Sequence, residues 1–392
     1  MVNSSSGPAS AAGRPFASRP GRPGGNLPAL RSHNTALVLG LLRSAGPGGI
    51  SRRELAGATG LTPQAVSKIT ARLRDEGLAA EAGRRASTGG KPPTLLRLVP
   101  EAAHAVGLHL DRDELTAVLV DLAGTPVAAR SAPLDLGAGP AEVTNALVTA
   151  VTEMVTAVGP GTATGVEARA ALVRGGRVLG VGVAMPGPLD HTAGVPHRVT
   201  GYPEWDGFPL RATLTERLGL PVVLDKDTNA AALGLALRGG AADSFAYLHL
   251  GTGLGAGLVL DGVLHRGART GAGEFGHQTV QLDGPRCSCG GRGCLEALCL
   301  GAVARGDRAG AARVLGAGAA NLVSLLDIDR VLLGGRVVAA DAGTFVRGVA
   351  AVLDDRARRS GAAPVPVALA DEAPHPVAEG AAQLILAPVF GQ

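Results

Sequence analysis

Cysteine is scarce in this chain, with four in 392 residues. That is too few for a disulfide framework at this length. Three of the four fall inside RCSCGGRGCLEA, Arg286 to Ala297, and three thiols cannot pair among themselves without a leftover. Also lacking is an apolar core region near the N-terminus, where Ser, Gly, Pro and Arg stand instead, so no secretory leader is expected. Apolar runs are short: the one near Ala36–Leu42 falls well below a bilayer span. These absences argue against a disulfide-built secreted scaffold and against a membrane protein. The expected setting is a reduced cytoplasm, where clustered cysteines bind metal or do redox chemistry.

A metal site needs a fourth ligand, and GEFGHQTV (Gly273–Val280) supplies His277. The pattern is then His-x9-Cys-x-Cys-x4-Cys over His277, Cys287, Cys289 and Cys294. Zinc prefers four tetrahedral nitrogen and sulfur ligands, and a structural site uses all four. Gly290, Gly291 and Gly293 would let the backbone wrap a small ion. The bland alternative is a glycine-rich loop with incidental thiols. A thioredoxin-like pair is disfavoured because the spacing is not Cys-x-x-Cys. Cys299, in an apolar context, reads as a small buried hydrophobe.

Charge divides the chain. Residues 1–100 hold 14 Lys/Arg against 4 Asp/Glu, or +10, and the whole chain is +4, so residues 101–392 sum to −6. A polyanion-binding function is therefore expected in the N-terminal quarter. Residues 1–26 lack a periodic apolar pattern and read as a disordered basic tail. Residues 27–100 read as a DNA-binding unit and 101–392 as an α/β effector domain.

Within the basic quarter, ISRRELAGATGLTPQAVSKITARLRDEGL (Ile50–Leu78) reads as helix, tight turn at Gly60, then a second helix. Thr62 can cap that helix and Pro63 suits its first position. Val66, Ile69 and Leu73 fall on one face. Gln64, Ser67, Lys68 and Arg72 then lie on the other, with donors and acceptors for base edges in a major groove. Arg52 joins them as a candidate DNA contact. The following LAAEAGRRASTGGKPPTLLRLVP alternates as a two-strand hairpin with a basic glycine-rich tip. Arg84, Arg85 and Lys91 on such a wing would meet phosphate or the minor groove. A winged helix used only for protein contacts is the alternative.

From Ala105 the pattern is α/β. AVGLHLDRDELTAVLVDLAGTPVAARS reads as three strands with turns at Asp111–Glu114 and Ala123–Pro126. VLGVGVAMPGPLD is a buried strand ending in a Pro/Gly loop. LPVVLDKDTNAAALGLAL reads as strand, polar turn and Ala-rich helix. FAYLHLGTGLGAGLVLDGVLHRG is a hairpin with a glycine-rich bend, and DRVLLGG a strand ending in two glycines. Two α/β halves around a cleft account for these pieces.

The motifs GEFGH, CSCGGRGCLE and LGTGLGAG, with the upstream helix-turn-helix, resemble the ROK (repressor, open reading frame, kinase) family. The resemblance runs from about residue 35 to the C-terminus. It implies an α/β fold in which a winged helix-turn-helix precedes the two-lobed, actin-like ATPase fold of sugar kinases. It also implies zinc on the same His and three Cys. ROK kinases carry Asp-x-Gly-Gly-Thr after the first strand to cradle ATP phosphates. Here LDRDEL keeps Asp111 but follows it with Arg112, Asp113 and Glu114, and two added carboxylates oppose a polyphosphate. ATP binding is expected to be lost.

For the sugar site the resemblance implies Asp227 and Asn229 of DKDTNAAALG, with Lys226 where the family has Asn. It also implies Glu274, His277 and Glu296, whose carboxylates and imidazole would hold sugar hydroxyls. The stretch between Glu296 and Val331 is shorter than the family usual. The expected function is a cytoplasmic transcriptional repressor that binds a double-stranded DNA operator. It would sense a sugar or sugar phosphate, work as a homodimer or homotetramer, and catalyse nothing. The alternatives are an active sugar kinase with a fused DNA-binding domain and a ligand-free DNA-binding scaffold.

Overall fold

The computed structural model describes residues 27–84, 93–156, 178–199, 201–238, 243–370 and 373–392. The expected basic tail and the wing-tip residues Arg85 and Lys91 lie outside them.

Local signals start and stop the N-terminal elements. Helix α1 (Leu27–Ala45) leads into β1 (Ile50–Ser51) and α2 (Arg52–Thr59). Ser51 caps α2 through the Glu54 amide while the Glu54 carboxylate accepts from the Ser51 amide, a reciprocal box. Gly60 ends α2 in a left-handed conformation with φ 71°. Thr62 then caps α3 (Pro63–Asp75) with Pro63 at its start. Strands β2 (Ala79–Arg84) and β3 (Thr94–Leu98) pair antiparallel, and β1 completes the sheet in the order β1-β3-β2. Leu55, Val66, Leu73 and Leu96 are fully buried at the centre. This is a winged helix-turn-helix.

The rest is two lobes of the same plan. Lobe I contains β4 (His104–Leu110), β5 (Glu114–Asp121), β6 (Pro126–Pro133), α4 (Pro140–Thr156) and β7 (Val178–Met185). A small hairpin of β8 (Leu189–Asp190) and β9 (Val195–Pro196) follows, then α5 (Leu210–Leu218), β10 (Val222–Lys226) and α6 (Asp227–Arg238). Its sheet runs β10-β7-β4-β5-β6. Lobe II contains β11 (Phe245–Leu250), β12 (Leu254–Leu260), β13 (Val263–Leu264), α7 (Leu295–Ala304) and α8 (Arg308–Leu326). It closes with β14 (Arg330–Gly334), α9 (Arg336–Ala339), α10 (Ala342–Ser360), β15 (Val367–Leu369) and α11 (Pro376–Leu386). Its sheet runs β13-β12-β11-β14-β15. In each lobe three antiparallel strands are followed by two parallel ones. The near-continuous burial of β4, β5 and β7 reflects sheets covered on both faces.

Two expectations change. The polar turn expected after Val222–Lys226 is absent, because α6 starts directly at Asp227. The apolar runs are also not all short: α8 is the one helix among the described residues long and apolar enough to cross a membrane. It nevertheless serves as a core helix, about half buried, with its small residues seated against α10, where a side chain at Gly316 would meet Val352.

Helices α6 and α11, each following the last strand of its lobe's five-stranded sheet, cross at the centre. Glycines set how closely they approach. A Cβ at Gly107 or Gly182 would lie 1.9 or 1.8 Å from the carbonyl oxygens of Ala378 or Ala381, so α11 lies backbone to backbone on the lobe I sheet. At Gly257 a Cβ would lie 2.1 Å from the Thr228 carbonyl, so α6 lies just as closely on lobe II.

Candidate functional site: an inter-lobe cleft and a thiol–imidazole cluster

The turns of the two leading hairpins, β4–β5 and β11–β12, face each other across the cleft. The Thr252 hydroxyl of lobe II donates to Asp111 Oδ1 of lobe I at 2.7 Å. Beside it, the Arg336 guanidinium donates twice to Asp113, at 3.1 and 3.2 Å, and lies 3.8 Å from Asp111 Oδ2. The carboxylate after Asp111 that opposes a polyphosphate thus has a cationic partner in the chain itself. His109 and His249 line the chamber behind these turns. Burial holds both imidazoles below their ordinary value, His109 at about 4, so neither adds positive charge at neutral pH.

Deeper in the cleft, Asp227 opens α6, and one of its oxygens accepts from the Thr228 amide at 2.6 Å. Burial, with Asp111 and Glu274 nearby, pushes its carboxyl up to about 7, against the pull of that amide and of Lys226. Lys226 is almost fully buried, and its ammonium donates to the Ala272 carbonyl and to Glu274 Oε1, the latter at 3.1 Å. Glu296, on the first turn of α7, accepts from the Leu254 amide at 2.9 Å. Asp111, Arg112, Lys226, Asp227, Glu274 and Glu296 line one space of about 70 Å³, with His277 at its edge. That is room for a few ordered waters.

Asn229 is not among the lining residues. It is fully buried, donates to Asp225 Oδ1 at 2.7 Å, and leaves its own Oδ1 without a hydrogen-bond partner. The α-helical start at Asp227 explains this: residue 229, two positions on, points away from the face that carries 227. Asp225 also accepts from Arg266 of lobe II at 2.6 Å, and His191 meets Thr270 Oγ1 at 2.7 Å.

His277, Cys287, Cys289 and Cys294 come together as one cluster, their ligand atoms all within 4.8 Å of one another. The Cys289–Cys294 sulfur separation is 3.7 Å, as is that from Cys287 Sγ to His277 Nδ1. A tetrahedral site with sulfur ligands at about 2.3 Å has ligand–ligand edges of about 3.8 Å, so the residues fit a tetrahedral metal ion. Gly290 and Gly293 have φ of 93° and 63°, which lets the loop close. A Cβ at Gly293 would collide with the Gln281 carbonyl. Burial and the neighbouring thiols push Cys294 up to about 12, whereas the Gly291 amide draws Cys289 down. Cys294 immediately precedes α7, so the cluster lies next to the turn that carries Glu296. Cys299 is fully buried in the lobe II core.

On α3, Gln64, Ser67 and Lys68 are exposed. Arg72 is half exposed, with one guanidinium nitrogen donating to Thr35 Oγ1 at 2.6 Å and another 3.6 Å from Glu76. Arg52 faces inward and donates to Thr70 Oγ1 at 3.2 Å, bracing α2 against α3. The β2 backbone carries Arg84 to the wing's start.

A ROK family profile matches residues 106–306, and a winged helix-turn-helix DNA-binding profile matches 42–79. The chain belongs to the ROK family. The xylose repressor of Bacillus subtilis is 30% identical over 249 residues, 63% of this ROK chain and 61% of the repressor. The chain therefore aligns with about three fifths of the curated relatives' length. Among solved structures, a ROK family transcriptional regulator described as a homologue of the E. coli MLC protein matches with TM-score 0.70 at 22% identity, covering 92% of this chain and 98% of the other. The ROK hexokinase of Thermus thermophilus matches with TM-score 0.56 at 31% identity, covering 74% and 100%.

Sequence reasoning missed the residues that cross this ROK cleft as pairs. Lys226 was visible as a departure from the family pattern, but its partner Glu274 is 48 residues away. Arg336 carried one usable signal, its place directly after the Gly334–Gly335 pair that ends β14.

Proposed function

We propose that this ROK protein is a DNA-binding transcriptional regulator, a repressor whose kinase-like lobes sense a sugar or sugar derivative without transferring phosphate. The observation that carries the reading is the state of the two hairpin turns. Where a kinase of this family would cradle phosphate, Asp111 and Asp113 are joined to Thr252 and Arg336 across the cleft. Asp227, Glu274 and Glu296 meanwhile still share the sugar side of the same cleft. Each carboxylate can accept from ligand hydroxyls, so a ligand would bridge Asp227 of lobe I to Glu274 and Glu296 of lobe II.

Gln64, Ser67 and Lys68 on α3 would read base edges, with Arg72, Arg84, Arg85 and Lys91 contributing to backbone or groove contacts. Arg52 would act by holding α3 in place. A homodimer would present two such helices to a palindromic operator.

Zinc is the ion we assign to His277, Cys287, Cys289 and Cys294. Its role would be structural: all four positions are protein ligands, and the loop fixes Glu296 and Glu274 as an outer shell fixes ligands. Metal analysis of the purified protein should give one zinc per chain, reduced in Cys289→Ser. Zinc-free protein would overturn the assignment.

An ATP-turnover assay across a sugar panel, run beside thermal-shift screening of the same sugars and sugar phosphates, tests the whole reading. Stabilisation without turnover supports it. Sugar-dependent ATP hydrolysis would make the protein a kinase instead, and no stabilisation by any compound would remove the sensor.

A further inference from the structure

The winged helix is not tethered to the effector domain by a linker. Val38, Leu39 and Leu42 of α1 share one buried cluster with Ala382, Leu386 and Phe390 from α11 and the C-terminal turn. At the edge of this shared core stands Arg43, in the last turn of α1. Its Nε donates to the Ala123 carbonyl in the β5–β6 turn at 3.0 Å, and its Nη2 donates to Gln383 Oε1 on α11 at 3.0 Å. Its guanidinium carbon lies 4.7 Å from the centre of the Phe390 ring. Gly124 takes φ 88°, a left-handed conformation that favours glycine, and a Cβ there would come within 2.6 Å of the side-chain ends of both Arg43 and Gln383. Arg43 forms no ion pair among the described residues. A half-buried guanidinium held by a carbonyl, an amide oxygen and a ring gains direction from three sides at once, which a lysine ammonium cannot reproduce.

What this clamp joins follows from the packing of the central helices. Helix α11 lies backbone to backbone on the lobe I sheet at Gly107 and Gly182, whereas α6, which begins at Asp227, lies on lobe II at Gly257. The two helices meet where a Cβ at Gly380 would be 2.0 Å from the Ala230 carbonyl. Contacts that close do not slide freely, so a relative motion of the lobes would be a rotation at this crossing. We propose that Arg43 is a positioning residue that makes the winged helix and lobe I one rigid body, so that rotation against lobe II reorients α3. This rests on the proposed sensor function, because it names the joint through which a cleft ligand reaches DNA.

The test uses the full-length chain as wild type, Arg43→Lys, Arg43→Ala and Gln383→Ala. Amide hydrogen exchange without ligand reads the joint alone. We expect Arg43→Ala to raise exchange at least tenfold in the last turn of α1 and in the 121–125 turn, with Gln383→Ala intermediate and lobe II outside α11 unchanged. DNA binding, with and without whichever panel sugar stabilises the wild type, reads the coupling. Arg43→Ala and Arg43→Lys should keep unliganded DNA affinity within about threefold and sugar affinity within about twofold, yet lose at least four fifths of the sugar's effect on DNA affinity. A merely structural Arg43 would leave that effect intact, and this overturns the proposal, as does unchanged exchange in Arg43→Ala. If no panel sugar stabilises the wild type, the sensor reading fails on its own, and the exchange result still decides whether Arg43 is the clamp.

Discussion

Lys226 and Glu274 should prove energetically coupled across the cleft. Their charged atoms are 3.1 Å apart, with the lysine side chain 3% exposed and the glutamate 36%. At that separation the bare attraction is about 5 kcal/mol for an effective dielectric near 20. Removing the ammonium from water opposes most of it, and water still reaches Glu274, so a net coupling of about 1–2 kcal/mol is expected. The single variants should differ. Lys226→Met leaves a carboxylate that can rehydrate and should destabilise by about 1–2 kcal/mol. Glu274→Gln leaves an ammonium nearly out of water beside a carbonyl and an amide, and should destabilise by about 2–4 kcal/mol. Urea unfolding of wild type, both singles and the double variant gives the coupling directly. A value within about 0.5 kcal/mol of zero, or a Glu274→Gln variant milder than Lys226→Met, would refute the buried inter-lobe pair. Lys226→Asn, which restores the family residue and frees Glu274, should raise affinity for any sugar that stabilises the wild type.

Asp227 gives a pH signature. The folded chain keeps its proton up to about pH 7, while an unfolded aspartate releases it near 3.9. The stability from the neutral form is therefore complete below about pH 4 and lost as pH rises through 7. Asp227→Asn should remove this component, so a wild-type-minus-variant difference in unfolding free energy that stays flat from pH 4 to 8 contradicts it. For DNA, Lys68→Ala should weaken binding by about 1–3 kcal/mol and relax sequence preference, because it deletes one side chain that reads a base edge. Arg72→Ala should cost less than Lys68→Ala, since its guanidinium is already engaged by Thr35 and Glu76; fluorescence anisotropy across a salt series ranks the two.

What could be read from the chain depended on whether the physics was local. Gly60, Thr62 and Pro63 dictate a turn and a helix start within four residues, and the helix-turn-helix follows from them. The thiol–imidazole cluster was legible because its four residues lie within one loop and share one chemistry. The strands of both lobes announced themselves as Val- and Leu-rich runs ended by glycine. The polar turn expected before α6 was misread because Asp-Lys-Asp-Thr-Asn has turn composition. In the fold Asp227 opens the helix and Asn229 is drawn back onto Asp225, sites that only the packed lobe supplies. The inter-lobe pairs and the Arg43 clamp join residues from 41 to 340 positions apart. No periodicity records such distances; they emerge when the two sheets and the winged helix share a core.

The most direct measurement of the central claim couples the two ends of the molecule. A duplex selected from random sequence by the full-length protein is titrated by anisotropy at fixed salt, with and without each compound that raises its melting temperature. The account predicts that at least one such sugar or sugar derivative changes DNA affinity by about 5- to 150-fold, equivalent to about 1–3 kcal/mol of coupling. It further predicts that Asp227→Ala abolishes the change while leaving unliganded DNA binding in place. A compound that binds the cleft and leaves DNA affinity unchanged, or a selection that yields no preferred duplex, would contradict it.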